Sequence, residues 1–285
     1  MKLLYTSDLH GSEIQYARLI ALAAKVRPEV LVLGGDLFPD DSAVMPGRMG
    51  HGQPEFVRNQ FRKHVAAIRD GSGCKTVLTI FGNHDWASSV DAMNELATDG
   101  LLRVLDLQHP FAIQGLSFLG YSCTPPTPWY VKDFERLDRP GDVPPLMGGA
   151  RWDSRFSRPG THSATVIYKQ RGGSIADDLA TLKPPPDPWV FVAHAPPYDS
   201  KLDSMFNGQL AGSRSIRAAI EKHRPLLSLH GHIHESPRVT GQYRVEIGKT
   251  VAANPGQSSG ALHHLILDID VPARVIRWME HGQQT

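Results

Sequence analysis

Five short strings along this chain end on residues that bind metal ions. In order they are Asp8-Leu9-His10, Gly34-Gly35-Asp36, Gly82-Asn83-His84-Asp85, Ala193-His194 and His230-Gly231-His232-Ile233-His234. Their donors are carboxylate, imidazole and amide oxygen, without a thiolate. That set suits divalent Mn, Fe, Zn or Ni at a reactive centre, and not a structural zinc cage. In an extended segment, residues i and i+2 point to one side. Asp8 and His10 are therefore expected to grip one ion with Leu9 turned inward, and His232 with His234 to do the same across Ile233. Gly35, Gly82 and Gly231 let the backbone turn sharply and come close to an ion or phosphate. Singly, each string has a plainer reading. Asp-x-His is common as a helix cap or polar turn, Gly-Asp is an ordinary turn, and a lone strand-end histidine is usually structural. The ordered set of five is what needs a common explanation.

The elements that position these strings supply one. Residues 2–7 form an apolar run that reads as a buried strand. Ser12 follows as an N-cap, with Gln15 as its capping-box partner. Helical apolar spacing then runs from Ile14 to Leu22 and is stopped by Pro28. Residues 30–33 read as a second buried strand, 56–69 as a helix with Gly71 as its C-cap, and 76–80 as a third strand. Strands and helices alternating with short connections predict right-handed crossovers and a parallel sheet covered on both faces. Residues 111–114 and 116–121 read as a hairpin around Gly115. Residues 122–173 are rich in Pro, Gly, Arg, Asp and Trp and have little periodicity. They predict a long surface excursion, with a short helix near 129–137. Regular pattern returns with a helix at 175–182, a strand at 189–193, a helix at 213–223 and a strand at 226–229. Four further strands follow at 243–247, 250–253, 262–269 and 273–278. The predicted fold class is α/β, with two sheets packed face to face and helices outside, in a single domain spanning 1–285. Each of the five strings sits just past the carboxyl end of a predicted strand, where open α/β sheets bind their ligands.

Composition narrows the function classes. Apolar residues are 41% and charged residues 21%, ordinary for a globular protein and inconsistent with wholesale disorder. Lys+Arg is 30 against Asp+Glu 29, so no long-range field draws the chain to nucleic acid or an anionic membrane. Two cysteines, Cys74 and Cys123, make no disulfide framework, which points to a reducing, cytoplasmic compartment. No stretch approaches the ~18 apolar residues of a membrane span. Asp8 interrupts the N-terminal run too early for a secretory signal. Histidine, at 14 residues, is out of proportion and directs attention back to the five strings.

The ordered set Asp-x-His, Gly-Asp, Gly-Asn-His-Asp, His and Gly-His-x-His resembles the signature of the calcineurin-like metallophosphoesterase superfamily, over roughly residues 1–254. The resemblance implies an αββα sandwich with mixed sheets and helices on the outer faces. It implies two divalent transition metal ions, manganese favoured, and hydrolysis of a phosphodiester or phosphomonoester, the diester favoured. Asp8, His10, Asp36 and His234 would then bind one metal, and Asp36, Asn83, His194 and His232 the other, with Asp36 bridging. His84 would be the non-ligand histidine that touches the phosphoryl group and the leaving oxygen. Two metals about 3.5–4 Å apart clamp the phosphoryl oxygens and lower the pKa of a bridging water that attacks in line. A protonated His84 stabilises the equatorial oxygens or donates to the leaving group. An acidic partner should orient it, with Asp85, Asp40 and Asp41 as candidates. Asp85 has a plainer reading as a turn residue bonding nearby backbone.

Departures from the superfamily's branches are informative. Pro39 stands where purple acid phosphatases carry a tyrosine ligand. Phe81 and Asp40 stand where Ser/Thr protein phosphatases carry arginines. The strings Gly-Asp-Leu-Phe and Gly-Asn-His-Asp are closer to small bacterial phosphodiesterases, class III cyclic nucleotide phosphodiesterases and DNA-repair nucleases. The expected partner is a small phosphorylated molecule, a nucleotide among the candidates. A nuclease on DNA or RNA ends is the alternative, disfavoured by the lack of a basic stripe. A non-catalytic scaffold is weaker still, because every ligand position is filled. His51, His109, His162, His223, His263, His264 and His281 fall outside the set and read as surface or core residues. His230, at opposite parity to a strand ligand, is expected to pack inside. Arg48, Arg58, Arg151, Arg155, Arg158 and Arg171 are either solvated or clamp a substrate phosphate. Trp129, Tyr130 and Trp152 either stack on a base or pin the loop.

Overall fold

The computed structural model describes residues 1–39, 52–143, 167–168 and 172–285. Among these residues, strands form two six-stranded sheets. The first runs in the order β12 (Val275–Gln284), β11 (Leu262–Asp270), β1 (Lys2–Thr6), β2 (Val30–Leu33), β3 (Thr76–Thr79) and β4 (Arg103–Val104). The second runs β5 (Phe111–Ile113), β6 (Leu116–Tyr121), β7 (Trp189–Ala193), β8 (Leu227–Leu229), β10 (Thr250–Ala253) and β9 (Arg244–Ile247). Strands β1 to β4 pair in parallel, as do β6, β7, β8 and β10. Antiparallel β11 and β12 extend the first group, and antiparallel β5 and β9 edge the second.

Double burial explains why these segments are strands of this kind. Leu3, Tyr5, Val30 and Val32 face the other sheet, where they meet Val190, Val192, Leu227 and Leu229. The intervening Leu4, Leu31 and Leu33 face outward into a helical layer. That layer contains α1 (Glu13–Val26), α2 (Gly52–Phe56), a π-helical turn at Val57–Phe61, α3 (Arg62–Ser72) and α4 (Val90–Thr98). On the opposite side, Phe191 and Ala193 pack against α5 (Ile175–Ala180) and α6 (Arg214–His223). A short α7 (Ser236–Thr240) follows β8. A strand covered on both faces has no need of a polar side, so it reads as an unbroken apolar run. No described helix is long and apolar enough to cross a membrane.

Several local expectations change. Ser12 caps α1 by accepting from Gln15 N, but the Gln15 side chain does not complete a capping box. Its Nε2 donates to Ser258 O and Ala261 O at 2.6 and 3.1 Å, because a buried amide is better satisfied by two carbonyls of the segment leading into β11. The helix of 56–69 runs on past Gly71 and ends at Gly73, whose φ of 75° provides the left-handed cap. Helix α4 and the two-residue β4 had no clear sequence signal.

The excursion departs most. The helix expected at 129–137 is absent. Thr124 and Glu135 instead form an isolated parallel bridge. Lys132 and Glu135 stand at the helical i, i+3 spacing of an exposed pair, yet both are fully buried and joined at 2.8 Å. The Glu135 carboxylate also accepts from Thr127 N at 3.0 Å, Thr127 Oγ1 at 2.5 Å and Tyr168 OH at 2.6 Å. Lys132 Nζ donates in addition to Thr127 O at 2.8 Å. These inward bonds set the backbone. Asp40, Asp41, Arg48, His51, Arg151, Trp152, Arg155, Arg158, His162 and Arg171 lie outside the described residues.

Removing one member of a buried ion pair leaves the other charge stranded. Lys132→Met is expected to cost about 3–5 kcal/mol in urea unfolding, and adding Glu135→Gln should recover part of the loss. An unchanged unfolding midpoint for the single variant would contradict the buried pairing.

Candidate metal centre

The loops after β1, β2 and β3 approach from one sheet, and those after β7 and β8 from the other. Past the ends of β1 and β2 the chains stay zipped: Asp8 N, His10 N and Gly11 N donate to Gly35 O, Asp36 O and Leu37 O, each at 2.9 Å. The backbone there is not extended. Asp8, His10, Asp36 and His232 have φ values of 60°, 46°, 53° and 67°. The two side chains of Asp-x-His therefore converge through left-handed turns, which correct the expectation of extended i, i+2 alternation. Such conformations are costly for residues with a Cβ and persist only where the surroundings enforce them. Enforcement is visible at both carboxylates. Asp8 Oδ1 accepts from His232 N at 3.0 Å, and Asp36 Oδ1 accepts from His84 N at 2.8 Å. Each carboxylate thus holds the backbone of another string. A Cβ on Gly82 would collide with the Asp36 carboxylate and come within 2.6 Å of His194 Nε2, so only glycine fits there.

Two donor clusters result. One donor atom from each of Asp8, His10, Asp36 and His234 lies within 4.8 Å of all the others, and the same holds for Asp36, His194 and His232. Asp36 belongs to both. His10 Nε2 is 3.3 Å from His234 Nε2, which is 3.2 Å from Asp8 Oδ1. His194 Nε2 is 3.2 Å from Asp36 Oδ2. Its Nδ1 donates to Gly34 O at 2.8 Å, which turns Nε2 toward the carboxylates. Asn83 is buried between Gly82 and His84, and neither polar atom of its side chain has a hydrogen-bond partner among the described residues. An unsatisfied buried amide costs free energy, and a cation at Oδ1 would satisfy it. These residues fit divalent metal ions.

Electrostatics point the same way. Burial pushes the Asp8 carboxyl up, but His234 and His194 outweigh it and hold it at about 2. Asp36 is likewise held well below the usual range against burial, by His194, His84 and His10. Burial pushes His194 down, yet Asp36 and Asp8 prevail and bring it up to about 9. His232 is pushed down to about 3 by burial and by His194, which keeps it a neutral donor. Two buried carboxylates this close demand positive charge. In the protein alone His194 supplies it, and divalent cations bound by neutral imidazoles would supply more.

His84 sits beside the clusters, its ring edge-on to His10 at 4.9 Å between centroids. Trp129 stacks on it at 4.2 Å and 20°. Of the two expectations for Trp129, pinning the loop is the one its position matches. Asp85 is corrected. Its Oδ1 accepts from Leu37 N and Phe38 N at 2.9 and 3.0 Å, and its Oδ2 from Gly82 N at 2.9 Å. Both oxygens are engaged by backbone amides, so Asp85 ties the β2 loop to the β3 loop rather than orienting His84. Burial, then Asp36, push its carboxyl up to about 7 against the Gly82 and Phe38 amides and His194.

His230 is buried as expected, with Nδ1 at 2.9 Å from Ala193 O and Ala195 O and Nε2 at 2.8 Å from Ser228 Oγ. Arg58 is committed to Glu95 through two bonds of 2.9 and 2.7 Å, which removes it as a phosphate clamp. Two supporting residues lie outside the five strings. Gln53 Nε2 donates to Pro39 O and His84 O, and its Oε1 accepts from Trp86 N. Asn254 Nδ2 lies within 3.2 Å of Leu202 O, Gly231 O and Ile233 O. The turn signal Asn254-Pro255-Gly256, absent from the sequence expectations above, points to the second; nothing in the sequence links Gln53 to His84.

A family model described as calcineurin-like phosphoesterase matches residues 1–236. No curated protein matches the sequence at a significant level. One solved crystal structure is similar at 16% identity and a TM-score of 0.63, with 100% of this chain and 99% of the other covered. TT1561 of Thermus thermophilus is similar at 17% identity and a TM-score of 0.55, again covering 100% and 99%. At such identities the likeness is one of fold. The family match reaches further, because it spans most of the chain and contains all five strings: the chain belongs to the calcineurin-like phosphoesterases, which are phosphoric ester hydrolases.

Proposed function

We propose that the chain is a binuclear metal-dependent phosphodiesterase. The observation that carries this reading is the sharing of Asp36 between two donor clusters. Asp8, His10, Asp36 and His234 would hold one divalent ion, and Asp36, Asn83, His194 and His232 the other. When bound, the ions supply Lewis-acid charge to the phosphoryl oxygens and make water a nucleophile near neutral pH. Oxygen and imidazole donors without thiolate favour manganese. His84 binds a phosphoryl oxygen and passes a ring N–H proton to the leaving oxygen. As that ester P–O bond breaks, a P–O bond to the water oxygen forms, and diester plus water becomes monoester plus alcohol. Trp129 holds the His84 ring in one orientation. The diester is favoured by the likeness of the Gly-Asp-Leu-Phe and Gly-Asn-His-Asp strings to those of phosphodiesterases.

Hydrolysis of bis(p-nitrophenyl) phosphate with Mn²⁺ is expected, and loss of more than 90% of it on exhaustive chelation; full turnover without metal would end the proposal. Asp36→Ala should lower bound metal from two ions per chain to below one by elemental analysis, since both clusters need it. His84→Ala should keep two ions and lose about 10²–10⁴-fold in kcat. A kcat unchanged by that substitution would remove His84 from its role.

A further inference from the structure

We infer that a groove running from His232 receives an uncharged, apolar arm of the ester. The substrate class is then a phosphodiester carrying at least one aryl or comparably bulky alkyl group. The inference rests on the hydrolytic reading above and adds which esters the site selects.

The groove has a volume of about 580 Å³, within the range of sites that enclose organic ligands. A phosphoryl group alone would leave most of it unused. Pro125 and Pro126 form one wall, Leu210 and Ala211 another, and His232 at its head joins it to the donor clusters. Leu210 is 37% exposed, an apolar side chain turned to the open groove. Among the described lining residues Glu235 is the one carboxylate, and none is Lys or Arg. The Glu235 carboxylate would repel an arm bearing a second phosphate or a carboxylate.

The wall is preorganised. Proline fixes φ at both of its positions. The next residue, Thr127, bonds the buried Glu135 carboxylate through its N–H and its hydroxyl. Glu135 is in turn paired with buried Lys132. Burying such a pair is costly, and its best-attested use is to specify one conformation. Here that conformation sets the prolines along the groove and Trp129 against His84. A rigid wall loses little freedom on binding, which favours affinity for whatever it matches.

The test compares two unreactive diesters that differ in their arms, diphenyl phosphate and dimethyl phosphate. Each is titrated calorimetrically into the Mn²⁺-loaded protein, with turnover of bis(p-nitrophenyl) phosphate measured in parallel. Diphenyl phosphate is expected to bind at least tenfold more tightly. Ala211→Trp, which fills the groove, is expected to abolish most of that ratio in protein whose circular dichroism matches wild type. Equal affinities in the wild type overturn the inference without reference to the variant, as does failure of diphenyl phosphate to bind. A tenfold ratio that survives in folded Ala211→Trp protein overturns it too. Turnover decides the hydrolytic reading separately: hydrolysis with equal affinities removes the groove alone, whereas a preserved tenfold ratio without hydrolysis removes the reaction and keeps the groove.

Discussion

Two carboxylates, Asp8 and Asp36, lie buried where the carboxyl edges of the two sheets meet. Anions removed from water need compensating charge and hydrogen bonds, and much of the local structure meets that need. The rings of three histidines, His10, His194 and His234, approach them within 4 Å. Backbone amides from separate loops donate to them. The depressed pKa values of both carboxyls and the raised value of His194 express one balance seen from two sides. A centre whose buried carboxylates stay ionised is suited to dications, which bring more charge in the same space.

The fold places these groups by geometry available only to parallel sheets. Parallel strands put all their carboxyl ends on one side, so the loops that leave them can share a site. Two such groups of strands, packed face to face, supply three strings from one sheet and two from the other. A further layer then holds the loops. Asp85 spans the β2 and β3 loops through three amides. Gln53 ties Pro39 to His84, and Asn254 gathers the carbonyls around Gly231. Polar groups this deeply buried are tolerated because nearly all their bonds are made, and satisfied networks are stiff. Stiffness keeps four ligand-bearing residues in left-handed backbone conformations.

The excursion after β6 uses the same device for a different end. Its backbone has little regular structure among the described residues, so its rigidity comes from side chains. The Lys132–Glu135 pair, the Thr127 bonds and Tyr168 converge on one carboxylate. The segment so held carries Trp129 to His84 and lays prolines along the proposed groove. Recognition and chemistry would then share one anchored loop.

Local patterning was enough to read the five strings of donors, most strands of both sheets and most of their helical covers, though not α4 or β4. Continuous apolar runs are legible because both faces of these strands are buried, and the strings stand out because each follows such a run. The need for glycine beside the ligands was legible too. The remaining features came only with the folded chain, because the deciding partners are distant in the sequence. Asp85 reads as a candidate to orient His84 until Leu37 and Phe38 are seen to take its Oδ1. Gln15 reads as half a capping box until Ser258 and Ala261 claim its amide. Lys132 and Glu135 carry helical spacing, but their burial forbids the exposed helix that spacing suggests. Hydrogen bonds and charge pairs act over about 3 Å of space and are blind to sequence separation. Which polar group answers which is therefore settled only when the chain has closed.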